Sequence, residues 1–209
     1  MFNGLYVLTD DSLFPHTEWP DRVEACLAGG AGLIQLRDKQ LSDDALETTA
    51  YAVREVCQAY QVPLIINDRL ALAKKIHADG VHLGRSDVSI RVARDYLGAQ
   101  FLVGASCYAS LLLGIKAQQA GADYVAFGRI FRSNTKPQAV HCGLSQLALA
   151  RERLTLPICA IGGITEKNIA LISRRKIDWA ACVHHVFNAE NPTQAAINTL
   201  QQGILHTVR

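Results

Sequence analysis

Gly32-Leu-Ile-Gln-Leu-Arg-Asp38 is a short apolar run that closes in charge, and seven more runs of the same kind recur along the chain. They are Gly4–Asp10, Pro63–Asp68, Gly80–Gly84, Phe101–Cys107, Tyr124–Ile130, Pro157–Gly163 and Ala180–His185. Most lack the strict alternation of a half-exposed strand, which suits strands covered on both faces. Helical spacing fills the gaps between them. Ser42 is placed to cap a helix over 43–60, where Leu46, Ala50, Val53, Val56 and Cys57 share one stripe. The segments 109–120 and 193–205 repeat the pattern, and Thr165 with Asn168 brackets the start of another helix. Eight strand–helix pairs without a linker or low-complexity segment predict an α/β fold, one (β/α)8 TIM barrel of parallel strands over residues 1–209. The competing open, doubly wound sheet calls for G-x-G-x-x-G after its first strand, and that fingerprint is absent.

Composition sets outer limits. With 209 residues, 49% of them hydrophobic, the chain is long and apolar enough for a buried core. A net charge of +2 gives no bulk reason to expect nucleic acid as a partner. No apolar run reaches the ~18 residues of a membrane span, and Met1–Asp10 lacks the basic flank and cleavage site of a signal peptide. A cytoplasmic location without membrane attachment is the expectation. Cys26, Cys57, Cys107, Cys142, Cys159 and Cys182 form no C-x-x-C pair, and none has a His at zinc-ligand spacing. They read as reduced, mostly buried small hydrophobes.

In such barrels chemistry sits where strands end, with phosphates often held by the loops after the seventh and eighth strands. Alternation sends Gln35, Arg37 and Lys39 to one side, and two cations beside an amide suit a phosphorylated ligand with a hydrogen-bonding ring. Asp68 and Asp87 end adjacent strands. Each alone fits a helix N-cap, but together and near Arg37 and Lys39 they suit Mg²⁺, which takes one or two carboxylates and completes its shell with water and phosphate oxygens. Ser106 ends the fifth strand with no His–Asp partners to make it a nucleophile. Ser133, Asn134, Thr135 and Lys136 form a loop suited to wrapping a phosphate, or simply a polar loop. Gly162-Gly163 lets backbone N–H groups approach an anion, though tight turns use the same pair. His82, alone within the fourth strand, reads as a satisfied structural residue, whereas His184-His185 falls where phosphate loops belong.

Taken in order, Leu5-Tyr-Val-Leu-Thr-Asp10, Gln35-Leu-Arg-Asp-Lys39, Ile66-Asn-Asp-Arg69, Asp79-Gly-Val-His-Leu-Gly84 with Asp87, Thr135-Lys136 and Ala160-Ile-Gly-Gly-Ile-Thr165 resemble the thiamine phosphate synthase family. The resemblance spans nearly the whole chain. It implies a transferase that couples hydroxymethylpyrimidine diphosphate with hydroxyethylthiazole phosphate, or its carboxylated form, by a dissociative, Mg²⁺-assisted substitution that releases pyrophosphate. It further implies that Gln35 holds the pyrimidine and Ser106 hydrogen-bonds it. Arg37, Lys39, Asn67 and Lys136 contact the diphosphate, and Asp68 and Asp87 bind Mg²⁺. Ser133, Asn134, Thr135, Gly163, Val183 and His184 fall at the thiazole phosphate site, and the resemblance suggests a homodimer. Arg85, Arg132 and His184-His185 depart from the common pattern, which has glutamine, proline and serine–alanine there. Two alternatives stand beside this reading. A thiazole tautomerase-like barrel needs an acid/base residue and no diphosphate metal site, and a His follows the sixth-strand glycine in that branch where this chain has Arg129. A non-catalytic phosphate-ligand binder would have no need of Asp68 or Lys136.

Overall fold

The computed structural model describes residues 3–132 and 140–204. Among them eight parallel strands close into a barrel in chain order, so the fold is the (β/α)8 barrel. The strands are β1 (Gly4–Leu8), β2 (Leu33–Leu36), β3 (Leu64–Asn67), β4 (Gly80–Leu83), β5 (Leu102–Tyr108), β6 (Tyr124–Gly128), β7 (Ile158–Ile161) and β8 (Trp179–Cys182). The helices are α1 (Trp19–Ala28), α2 (Asp43–Ala59), α3 (Leu70–Lys75), α4 (Ile90–Leu97), α5 (Leu111–Gln119), α6 (Leu144–Arg153), α7 (Ala170–Ser173) and α8 (Pro192–Ile204). Pairing of Gly4 with Trp179 and Val7 with Cys182 joins first strand to last. All eight predicted strands form. Ser42 Oγ accepts from Ala45 N–H as the α2 cap, and Ser110 and Ser89 do the same for α5 and α4. The helix expected to start at Thr165 begins only at Ala170, because Asn168 Oδ1 takes the Thr165 N–H in a turn of its own.

Both faces of the strands are buried, and alternation divides them into two apolar layers. Leu5, Val7, Ile34, Leu36, Leu64 and Ile66 point outward and pack under the helices. Tyr6, Leu8, Leu33, Ile65, Tyr124 and Cys159 point inward and fill the barrel. The interior is crowded. A Cβ on Gly104 would fall 2.1 Å from Cζ of Tyr124, so only glycine leaves room for that ring. All six cysteines are free and buried.

One device recurs at the end of the barrel where strands begin. Asp79, Asp123 and Asp178 stand immediately before β4, β6 and β8, and their Oδ2 atoms accept from Leu64, Val103 and Ile158 N–H, each at 2.7 Å. Each carboxylate thus pins the preceding strand. Left-handed His77, Gly121 and Lys176 stand two residues before these aspartates and turn the chain from helix to strand. Arg94 and Arg151 hold two of the three, at 2.6 Å from Asp123 and 3.0 Å from Asp178. Removing Asp178 strands the Ile158 N–H and takes one of its partners from Arg151, which keeps its bond to Leu154 O. Asp178→Ala is therefore expected to destabilise the fold by about 1–3 kcal/mol, read as a lower urea midpoint at unchanged slope, with little effect on turnover at the opposite end.

Candidate active site

At the ends of the strands the barrel opens into a cavity of about 370 Å³. Its floor is a chain of side-chain hydrogen bonds. Gln35 Nε2 donates to Tyr6 Oη at 2.5 Å, and the Tyr6 and Tyr124 hydroxyls meet at 2.9 Å. Tyr124 Oη lies 3.0 Å from His82 Nδ1, and His82 Nε2 lies 2.9 Å from Ser106 Oγ. Desolvation holds both tyrosines far above the usual phenol range, so the chain runs through neutral hydroxyls. His82 is the satisfied residue expected from sequence, and it also lines the cavity. The inward tyrosines were missed by the sequence reading. Their only signal was an aromatic with a hydroxyl at an inward strand position, which also fits plain core.

The β2 end is held from several sides. Arg37 N–H donates to Thr9 Oγ1 at 2.9 Å, and Thr9 Oγ1 donates to Arg37 O at 3.1 Å. Buried Asp38 accepts from Gln40 and Leu41 N–H at 2.9 and 2.6 Å, and His16 Nε2 lies 2.7 Å away. Burial works to raise the Asp38 carboxyl, but His16 and these two backbone donors outweigh it and hold it below the usual range. Arg69 reaches across from β3 to Asp43 Oδ1, Leu41 O and Asp38 O at 2.8, 2.7 and 3.0 Å. These contacts fix the loop that carries Arg37, whose guanidinium faces Asp11 at 3.8 Å. Lys39, half exposed, bonds Asp68.

Neither acid is a helix cap. Asp68 has a left-handed φ of 63°, in a tight turn where Arg69 N–H donates to Asn67 O at 2.8 Å. Its carboxylate accepts from Asn67 Nδ2 at 2.7 Å and from Lys39. Asp87 Oδ2 accepts from Gly84 N–H at 2.6 Å, and Ser89 rather than Asp87 caps α4. Burial first, then a hydrogen bond from Asp87 to Asp68, raises the Asp87 carboxyl above its usual range. Two carboxyl groups brought close together and faced by one ammonium form an oxygen-only donor set that fits a hard divalent cation. Among the described residues no group of three or more His, Cys, Asp or Glu side chains is arranged to hold a metal ion, so an ion at this pair would draw its other ligands from water and substrate.

Gln35, Arg37, Asn67, Ser106, Gly163, Val183 and His184 all line the one cavity. Lys39, Asp68 and Asp87 stand beside it, joined to its wall through Asn67. Ser133, Asn134, Thr135 and Lys136 lie outside the described residues. Arg129 and Arg132, without a sequence-assigned role, line the wall next to Gly162 and Gly163. Gly163, at φ 64°, lies so close to the loop after β6 that a Cβ there would fall 2.3 Å from Arg132 O.

Comparison with known proteins agrees with this layout. A family model described as Thiamine monophosphate synthase matches residues 5–186. The chain is 45% identical over 193 residues to the thiamine-phosphate synthase of Nitrosococcus oceani, covering 92% of this chain and 89% of that one. It is 47% identical over 196 residues to the thiamine-phosphate synthase of Thiobacillus denitrificans, covering 92% and 91%. The solved thiamine phosphate pyrophosphorylase of Pyrococcus furiosus superposes with a TM-score of 0.89 at 30% identity, covering 99% of this chain and 98% of that one. No helix among the described residues is long and apolar enough to cross a membrane. The chain belongs to the thiamine monophosphate synthase family.

Proposed function

We propose that this enzyme joins hydroxymethylpyrimidine diphosphate to hydroxyethylthiazole phosphate, or its carboxylated form, giving thiamine phosphate and pyrophosphate. The observation that carries the reading is one cavity with a hydrogen-bonding floor, a cationic and acidic cluster at one side and a glycine loop at another. Gln35 and Ser106 present an amide and a hydroxyl at the floor, suited to the nitrogen edge of an aminopyrimidine. Arg37, Lys39 and Asn67 lie where the diphosphate would extend, and Lys136 is assigned to the same group from the sequence alone.

The C–O bond between the pyrimidine methylene and the diphosphate breaks, and its electron pair leaves with pyrophosphate. The ring bears the resulting cation until the thiazole nitrogen supplies its lone pair for the new C–N bond. Arg37 and Lys39 offset the negative charge that grows on the leaving group. Asp68 and Asp87 would hold Mg²⁺, which when bound neutralises diphosphate charge as a Lewis acid. Gly163, Val183 and His184, with Ser133, Asn134 and Thr135, would hold the thiazole phosphate so that the nitrogen is already aimed. A covalent enzyme intermediate is unnecessary. Cys182, which lines the cavity, is pushed up to about 12 by burial, and Cys159 beside it higher still, so both stay thiols. A cytoplasmic homodimer acting on small molecules alone belongs to the same proposal, the dimer resting on the family resemblance.

Chelator-treated protein given both substrates is expected to release pyrophosphate and form thiamine phosphate only after Mg²⁺ is restored. Product without a divalent ion overturns the metal assignment, and no product under any condition overturns the reaction. Asp87→Ala is expected to fold yet lose on the order of 100-fold in pyrophosphate release; near-normal turnover removes Asp87 from its role. Ser106→Ala is expected to raise KM for the pyrimidine diphosphate about 2–10-fold, the range of one neutral hydrogen bond. KM for the thiazole phosphate should stay put, and an equal rise in both would contradict the placement of the pyrimidine at the floor.

A further inference from the structure

Two loops face each other across one wall of the cavity, Gly162–Thr165 after β7 and 183–185 after β8. The first is braced from within: Asn168 Nδ2 donates to Gly163 O, and Thr165 N–H donates to Asn168 Oδ1, both at 2.9 Å. Two side chains tie it to the β8 side. Glu166 N–H donates to His185 Nε2 at 3.3 Å, and the Cys182 thiol donates to Ile164 O at 3.8 Å. A thiol is a weak donor, so the imidazole is the stronger tie.

An Nε2 that accepts an N–H carries its lone pair, so the ring is neutral with its proton on Nδ1. His185 is half-buried. Desolvation holds it below the usual histidine value, with Lys167 acting the same way and Glu166 opposing. Arg129 and Arg132 line the same cavity from the loop after β6, and His184 lines it from the adjacent position with its own ring engaged by Asn188 Nδ2 at 3.1 Å. None of these except Glu166 favours a charged His185.

We propose that His185 is a positioning residue whose neutral imidazole staples the β7 loop to the β8 loop and so fixes the backbone that receives the thiazole phosphate. The proposal rests on placing that phosphate between these loops, as in the reading above. A protonated ring turns an N–H toward the Glu166 N–H and undoes the staple. The enzyme then keeps its chemistry but holds the thiazole phosphate less well as pH falls below the histidine range.

The test is steady-state kinetics of the full chain with Mg²⁺ between pH 5.5 and 8, on wild type, His185→Asn and His185→Ala. The asparagine amide oxygen can accept the same N–H and does not titrate. Dividing wild type by His185→Asn cancels the titration of the substrate phosphate, whose second ionisation lies near pH 6. That ratio of KM for the thiazole phosphate is expected to rise about 2–10-fold from pH 8 to pH 5.5. His185→Ala should raise this KM by a similar factor across the whole range, while kcat and KM for the pyrimidine diphosphate change little. A wild-type KM in His185→Ala overturns the staple, and so does a flat ratio. A ratio that falls at low pH overturns it as well, since it would mean an imidazolium attracting the phosphate. A rise in KM for the pyrimidine diphosphate alone, with normal product formation, overturns the placement of the thiazole phosphate while leaving the coupling reaction intact. Equal thermal midpoints for the three proteins exclude unfolding as the cause of any difference.

Discussion

A parallel strand buried on both faces has nowhere to satisfy its N–H and C=O groups except on two neighbouring strands, and the closed barrel meets that demand all round. Closure also brings the eight strand ends to one rim. Residues as far apart in sequence as Gln35, Ser106 and Val183 come to border a single cavity for that reason. At the opposite rim, Asp79, Asp123 and Asp178 fasten alternate strand starts, so the end that holds the barrel together is separate from the end that carries the chemistry.

The interior is polar in a restricted way. Two tyrosine hydroxyls inside a barrel would be costly if unpaired. They avoid that cost by bonding each other and passing the chain on to Gln35 and His82. The groups that finish the chain, Gln35 and Ser106, are those given to the pyrimidine. Structural satisfaction of the floor and presentation of polar atoms to a ligand are therefore one arrangement. The acidic pair beside it has the reverse character. Burial and a neighbouring carboxyl make it costly to charge Asp87, with Lys39 the cation that bonds Asp68, and a divalent ion would relieve that cost.

The fold was legible because its signals are local. Most of the β-rich runs close in a polar residue or glycine, and Ser42 announces a helix with its own hydroxyl. The expected helix at Thr165 fared less well, since Asn168 served both as a helix signal and as the partner of a turn, and only the turn formed there. Gln35, Arg37, Asn67, Ser106, Gly163, Val183 and His184 could be read as site candidates because strand ends in a barrel converge.

What the sequence determined by itself was the order of elements, the barrel and the residue types at its mouth, since these follow from period, capping and position along the chain. Only the tertiary structure decided that Tyr6 and Tyr124 meet, that Asp68 turns to Asp87 instead of capping a helix, and that His185 reaches the Glu166 N–H. Those contacts join residues 19 to 118 positions apart, and no local pattern encodes which side chains from different strands will share a space.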